Sequence, residues 1–311
     1  MVTRVHPPQS SRRIVAAALA VGGLLVYACN ASPTSTEKTA EVSAKVAQVA
    51  AAVTGQDAPV ADEVEEGRFL GFDTHTYPGD KDMRAWKDAP NAPYHWVGYY
   101  LPATPCHDDK SWHGKRKTLT DMGWGLAVVY VGQQTWNRTP RNLSPVQLAR
   151  LKKRGETCSA DFLSADRGAM EALDAIRKAQ AEGFPTGSVI FLDIERTERM
   201  PARMRDYYKA WVATLLADER YRPGIYVHSH NAETVYSDVK SLFTVAGIDE
   251  EPRFWIASAR DFSSNKAASQ VGHDFAGMWQ GVIDVVRRVA NVALPIDINV
   301  SNWPSPSDVI D

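Results

Sequence analysis

Apolar positions divide the chain into two regimes. Before Gly67 the dominant feature is one charge-free, largely apolar run near the N-terminus. After it, short β-like runs recur, several followed by stretches with helical spacing. The strand-like runs are Phe69–Phe72, Trp96–Leu101, Leu126–Val131, Ser188–Ile194, Gly224–His228, Arg253–Ser258, Phe275–Gln280 and Ile296–Val300. Helical patterns cover Lys81–Lys87, Ser144–Lys153, Ala165–Glu182, Met200–Asp218 and Ala232–Leu242. In the third of these, Met170, Leu173, Ile176 and Ala179 recur at helical spacing. Gly183 then supplies a stop and Pro185 bars continuation. Eight strands with helices between the first six predict an α/β fold, a TIM-type (β/α) barrel. The last three strands are joined by short links, so the barrel is expected to be irregular there.

The first regime reads as an export signal. Arg4, Arg12 and Arg13 precede the charge-free run Ile14–Ala28, which has signal-peptide length and is short for a membrane span. It ends in Val26-Tyr27-Ala28-Cys29, the lipobox pattern of bacterial lipoproteins. Residues 1–28 are therefore expected to be removed, with the Cys29 thiol carrying a lipid anchor in the membrane. The alternative is an ordinary signal cut further on, with Cys29 discarded. Residues 29–66 contain no aromatic side chain and read as a flexible tether. Residues 67–311 then form the globular part, close to the ~250 residues typical of a (β/α)8 barrel.

Composition changes the picture only a little. The 311 residues carry a formal net charge of −2, so no nucleic-acid partner is expected. Three cysteines are too few for a disulfide-dense scaffold. With Cys29 assigned to the anchor, Cys106 and Cys158 remain as a pair, and export permits a disulfide between them.

The candidate chemistry is acidic. In a parallel barrel, functional groups gather at the C-terminal ends of strands. Asp73, Asp193, Glu195 and Asp297 are all expected there. Residues i and i+2 of a strand point to one face, with Cα atoms ~6–7 Å apart. Asp193 and Glu195 can therefore face one cavity. Like charges that close push one pKa up, which separates a proton donor from an anionic partner. Glycoside hydrolysis needs that division.

Gly71-Phe72-Asp73-Thr74, Gly98-Tyr99-Tyr100-Leu101, the run Gly123–Gln134 and Leu192-Asp193-Ile194-Glu195 carry a resemblance. So do Gly224-Ile225-Tyr226, Phe254-Trp255-Ile256-Ala257, Trp279-Gln280 and Asp297-Ile298-Asn299. Together they resemble a family of secreted bacterial glycoside-hydrolase-like domains, formerly catalogued only as a domain of unknown function. Its barrel is similar to that of the barrel-type lysozymes (N-acetylmuramidases). The resemblance implies Glu195 as general acid and Asp193 as its tuner or a stabiliser of the transition state. Asp73 and Asp297 would complete the acidic floor. Tyr100, Tyr226 and Trp279 would line a sugar cleft, with Gln133 and Gln280 as hydrogen-bond partners. The implied partner is peptidoglycan or another wall glycan, at the cell envelope, with no cofactor and no metal. Such a lipoprotein would sit at the outer membrane where the envelope has one.

Two other readings compete. One is a non-catalytic glycan-binding lipoprotein on the same barrel. The other is a barrel phosphodiesterase or metal hydrolase using His75, His228 and His230. The segments Pro102–Met122 and Thr135–Asp161 follow the second and third strands and are expected on the active face. Each carries one cysteine of the expected pair.

Overall fold

The computed structural model describes residues 68–309, apart from 137, 139–142, 148 and 150–157. Cys29, the signal segment and the tether lie outside the described residues, as does part of the expected helix Ser144–Lys153.

All eight expected strands form and close into one barrel in chain order. They are β1 (Phe69–Asp73), β2 (Trp96–Tyr100), β3 (Gly125–Tyr130), β4 (Val189–Ile194), β5 (Arg222–His228), β6 (Phe254–Ala257), β7 (Ala276–Val289) and β8 (Val292–Ser301). The described helices are α1 (Asp80–Lys87), α2 (Arg116–Asp121), α3 (Ala165–Ala181), α4 (Ala202–Asp218) and α5 (Ser229–Val245). The short α2 has no counterpart in the sequence reading.

Strands β1 to β7 run parallel. β8 runs antiparallel to both of its neighbours, β7 and β1. The irregularity is thus a long hairpin closing the barrel. Its turn is Ala290-Asn291, with φ of 46° and 65°. Two left-handed residues twist a two-residue turn to match its flanking strands. Beyond Gln280 the hairpin projects as an arm. Its inner residues pack on the main core, while Ile283 and Val286 stay exposed.

Alternation along each strand divides the apolar residues between two layers. Trp96, Val129, Val189, Phe191, Trp255 and Met278 form one cluster, which includes the interior filling of the barrel. Gly71 makes room for it, because a Cβ there would sit 2.1 Å from the Trp96 indole. A larger cluster fills the space between barrel and helices.

Helix α3 forms as expected, but with a different buried face. Met170 and Leu173 are exposed, and Gly168, Ala172, Ala175, Ile176 and Ala179 are buried. The reason is the close approach of α4. A Cβ on Gly168 would stand 2.0 Å from the Tyr207 carbonyl oxygen. Small residues make that contact, so the larger apolar ones point to solvent.

The Cys106–Cys158 disulfide forms, with Cα atoms 4.6 Å apart. It joins the segment after β2 to the segment after β3. Among the described residues, no helix is long and apolar enough to cross a membrane.

Candidate active site

Period-two alternation carries polar side chains to the upper interior of the barrel. Asp73 ends β1, Tyr100 ends β2, Asp193 is the penultimate residue of β4 and Glu195 follows it. Tyr226 comes from β5 and Gln280 from β7. Asp297 reaches the same level by another route. It lies inside β8, not at a strand end as expected, because β8 runs in the opposite direction. The register pairs it directly with Asp73.

Asp73 is buried and held by three donors. Tyr100 Oη donates to its Oδ1 at 2.8 Å, while Asn299 Nδ2 and Gln280 Nε2 donate to Oδ2 at 2.8 and 3.0 Å. Burial raises its pKa, and the three donors oppose that rise by favouring the anion. Gln280 is oriented by chemistry alone. Its Nε2 also donates to Asp297 Oδ2 at 3.1 Å, and its Oε1 accepts from Tyr226 Oη at 2.7 Å. Trp255 Nε1 donates to Asn299 Oδ1 at 2.9 Å, fixing that amide as well. The result is a continuous network in which each amide orientation is determined.

The other acids are held differently. Asp193 is buried and its Oδ1 has no hydrogen-bond partner. Burial, then the charges of Glu195 and Asp73, push its carboxyl well above the ordinary range. Glu195 keeps solvent contact at the mouth, yet desolvation among the rim residues, with the charge of Asp73 adding to it, raises its pKa too. Asp297 accepts from the Asp284 backbone N–H at 2.7 Å, and burial and Asp73 push it up to about 7. All four carboxylates act on Tyr226, whose phenol is raised first by burial and then by each of them. Tyr226 thus lies within electrostatic reach of all four.

A cavity of about 430 Å³ opens beside this cluster. Asp73, Tyr100 and Asp297 line it, with His75 and Tyr77 on one side and Leu294, Pro295 and Ile296 of the arm on the other. Tyr100 is backed by the His107 ring, stacked at 4.8 Å, with His75 against His107 at 4.2 Å. Burial pushes His107 down to about 4, so it is a neutral packing partner at physiological pH. His228 caps α5 by accepting the His230 backbone N–H. Among the described residues no group of three His, Cys, Asp or Glu side chains is arranged to hold a metal ion.

Of the expected cleft residues Tyr100 lines the cavity, Tyr226 and Gln280 belong to the acid network beside it, and two are brought to neither. Gln133 is fully buried, its Nε2 donating to Glu171 at 3.2 Å and its Oε1 accepting from Ser159 N–H at 2.7 Å. Trp279 is fully buried outside the barrel wall, where it packs edge-on to Phe262 and donates to the Ser258 carbonyl. Gln280 faces inward, so its neighbour on the strand must face outward.

Two residues bonded to the acid cluster are not among the expected ones. Asn299 follows Asp297 at i+2 and shares its face, the same rule that joined Asp193 to Glu195. Gln134 contacts Asp193 and Glu195 through their backbones, and nothing in its local sequence marks that contact.

A family model described as Rv2525c-like, glycoside hydrolase-like domain matches residues 84–300. That span contains Asp193, Glu195 and Asp297, while Asp73 precedes it. Among solved structures, an uncharacterized protein of B. stearothermophilus is similar over 75% of this chain and 95% of its own, at 16% identity and a TM-score of 0.52. The Mycobacterium tuberculosis Tat-secreted protein Rv2525c, crystallised with L-tartrate, covers 76% of this chain and 95% of its own, at 16% identity and a TM-score of 0.42. A bacterial lysozyme from Streptomyces coelicolor covers 78% and 94%, at 16% identity and a TM-score of 0.45. Among curated proteins, none matches.

Proposed function

The chain belongs to the Rv2525c-like, glycoside hydrolase-like domain family, and on that premise we propose that it is an exported glycoside hydrolase of the cell envelope, acting on peptidoglycan or another wall glycan. The observation that carries this reading is the division of labour among the converging acids. Asp73 is surrounded by donors suited to an anion. Glu195 stands at the open mouth with a raised pKa, suited to keeping a proton.

In this reading Glu195 protonates the glycosidic oxygen as the bond to the anomeric carbon breaks. Asp73 stabilises the positive charge that develops on the sugar ring until water adds to the anomeric carbon and passes its proton to a carboxylate of the cluster. Asp193 shares the face with Glu195, whose charge, after burial, opposes the ionisation of Asp193 and keeps its carboxyl neutral beside the acid. Asp297 adds to the negative floor, and Tyr100 and Tyr226 border the sugar. Cys29 carries the lipid anchor, and residues 29–66 give the barrel reach into the wall. Rv2525c is itself Tat-secreted, which agrees with the export signal read here.

One observation favours a second reading, a non-catalytic glycan-binding lipoprotein. Asp73 and Asp297 line the cavity, but Asp193 and Glu195 do not. A sugar held there need not meet the acid. Incubating the protein with purified wall glycan separates the two. Release of reducing ends supports the hydrolase, whereas saturable binding without release supports the binding protein.

A further inference from the structure

Pairing between β3 and β4 ends at Tyr130 and Leu192. Past that point the edge of β4 facing β3 has lost its backbone partner, yet Asp193 and Glu195 lie beyond it. Gln134 stands in the gap, fully buried. Its Nε2 donates to the Asp193 carbonyl at 2.9 Å, and its Oε1 accepts from the Glu195 N–H at 3.1 Å. A residue in a parallel strand makes the same two bonds, to the C=O before and the N–H after the residue opposite it. The side-chain amide of Gln134 therefore takes the place of a missing peptide opposite Ile194. Its orientation is forced, because a carbonyl can only accept and an N–H can only donate.

Gln134 is itself anchored. Its neighbour Gln133 donates its backbone N–H to the Tyr207 hydroxyl at 3.2 Å and accepts the Ser159 N–H. Ser159 follows half-cystine Cys158, and the other half-cystine, Cys106, donates its N–H to the Val131 carbonyl at 3.2 Å. The disulfide thus borders the 131–134 segment on both sides.

We propose that Gln134 is a positioning residue that extends the β4 ladder by one peptide and so fixes the backbone bearing Asp193 and Glu195. For turnover the inference rests on the hydrolase reading, but the backbone restraint does not. Hydrogen exchange tests the restraint directly. Gln134→Met keeps the volume and removes both bonds. It is expected to speed exchange of the Glu195 amide about tenfold or more, while amides in α4 keep their protection. Gln134→Glu supplies a rescue arm. Its carboxylate cannot donate to Asp193, but its protonated form can make both bonds. Glu195 protection is therefore expected to return as pH falls through that titration. If the Met variant does not fold, the Glu variant still reads the effect at acid pH. Where wall glycan is hydrolysed, kcat should fall in Gln134→Met with KM unchanged. Unchanged Glu195 protection in the Met variant, or no return of protection at low pH in the Glu variant, would overturn the proposal. An absence of hydrolysis by the wild-type protein leaves the exchange result intact and counts against the hydrolase reading alone.

Discussion

Gly98 is where the fold gives way to the site, and Gly98→Ala is the sharpest small perturbation available. It lies on β2 beside Asp73, and an added Cβ would stand 2.6 Å from the Asp73 Cβ and 3.4 Å from its Cα. Carbon atoms normally rest ~3.5–4 Å apart, so one strand must yield by roughly 1 Å. Neither side has a flexible end to move. Overpacking of this kind costs about 1–3 kcal/mol, which lowers Tm by roughly 2–12 °C for a domain of this size. The displaced atom bears a carboxylate held by bonds of 2.8, 2.8 and 3.0 Å, all of which would lengthen or bend. A shift of about 1 Å in a reacting group can cost ~100-fold in rate. Scanning calorimetry and reducing-end release read the two effects. Unchanged Tm together with unchanged turnover would refute the packing argument.

Two further outcomes follow from the structure. Asp297 and Glu171 are each pushed up to about 7, by burial first. The native state then holds protons that the unfolded chain has released, so stability falls as pH rises from about 4 to about 7. The combined loss is expected to exceed about 2 kcal/mol, and urea midpoints at pH 5 and pH 8 check it; a midpoint that rises with pH contradicts the assignment. The disulfide closes a loop spanning 52 positions. Its removal in Cys106→Ser, Cys158→Ser is expected to lower stability by about 2–4 kcal/mol, read from urea melts of oxidised protein and double variant; equal midpoints would show that the loops do not depend on it.

Local patterning made most of the scaffold legible. Strands β1 to β6 are short and most are rich in apolar or β-branched residues, and period two is a purely local signal. What the pattern could not show is direction. Nothing in Ile296–Val300 distinguishes a parallel strand from an antiparallel one, so the β7–β8 arm and the true route of Asp297 emerged only in three dimensions. Charged Asp284, Arg287 and Arg288 broke the apolar run of the arm, which is why its length escaped notice. Within the site, the rule that joined Asp193 to Glu195 also separates Trp279 from Gln280 and joins Asn299 to Asp297. The sequence therefore held those answers. Gln134 is different in kind, because its role depends on where the β3–β4 ladder stops. The face of α3 likewise depended on its neighbour, with Gly168 admitting α4 where larger residues could not fit.

In the proposed function the acid cluster breaks glycosidic bonds with Glu195 as proton donor. Reducing-end release from purified peptidoglycan, with wild-type protein and Glu195→Gln side by side, tests it most directly. Steady release by the wild type and a fall of about 100-fold or more in the variant are expected, with glycan binding retained. Binding by both proteins with release by neither would contradict it.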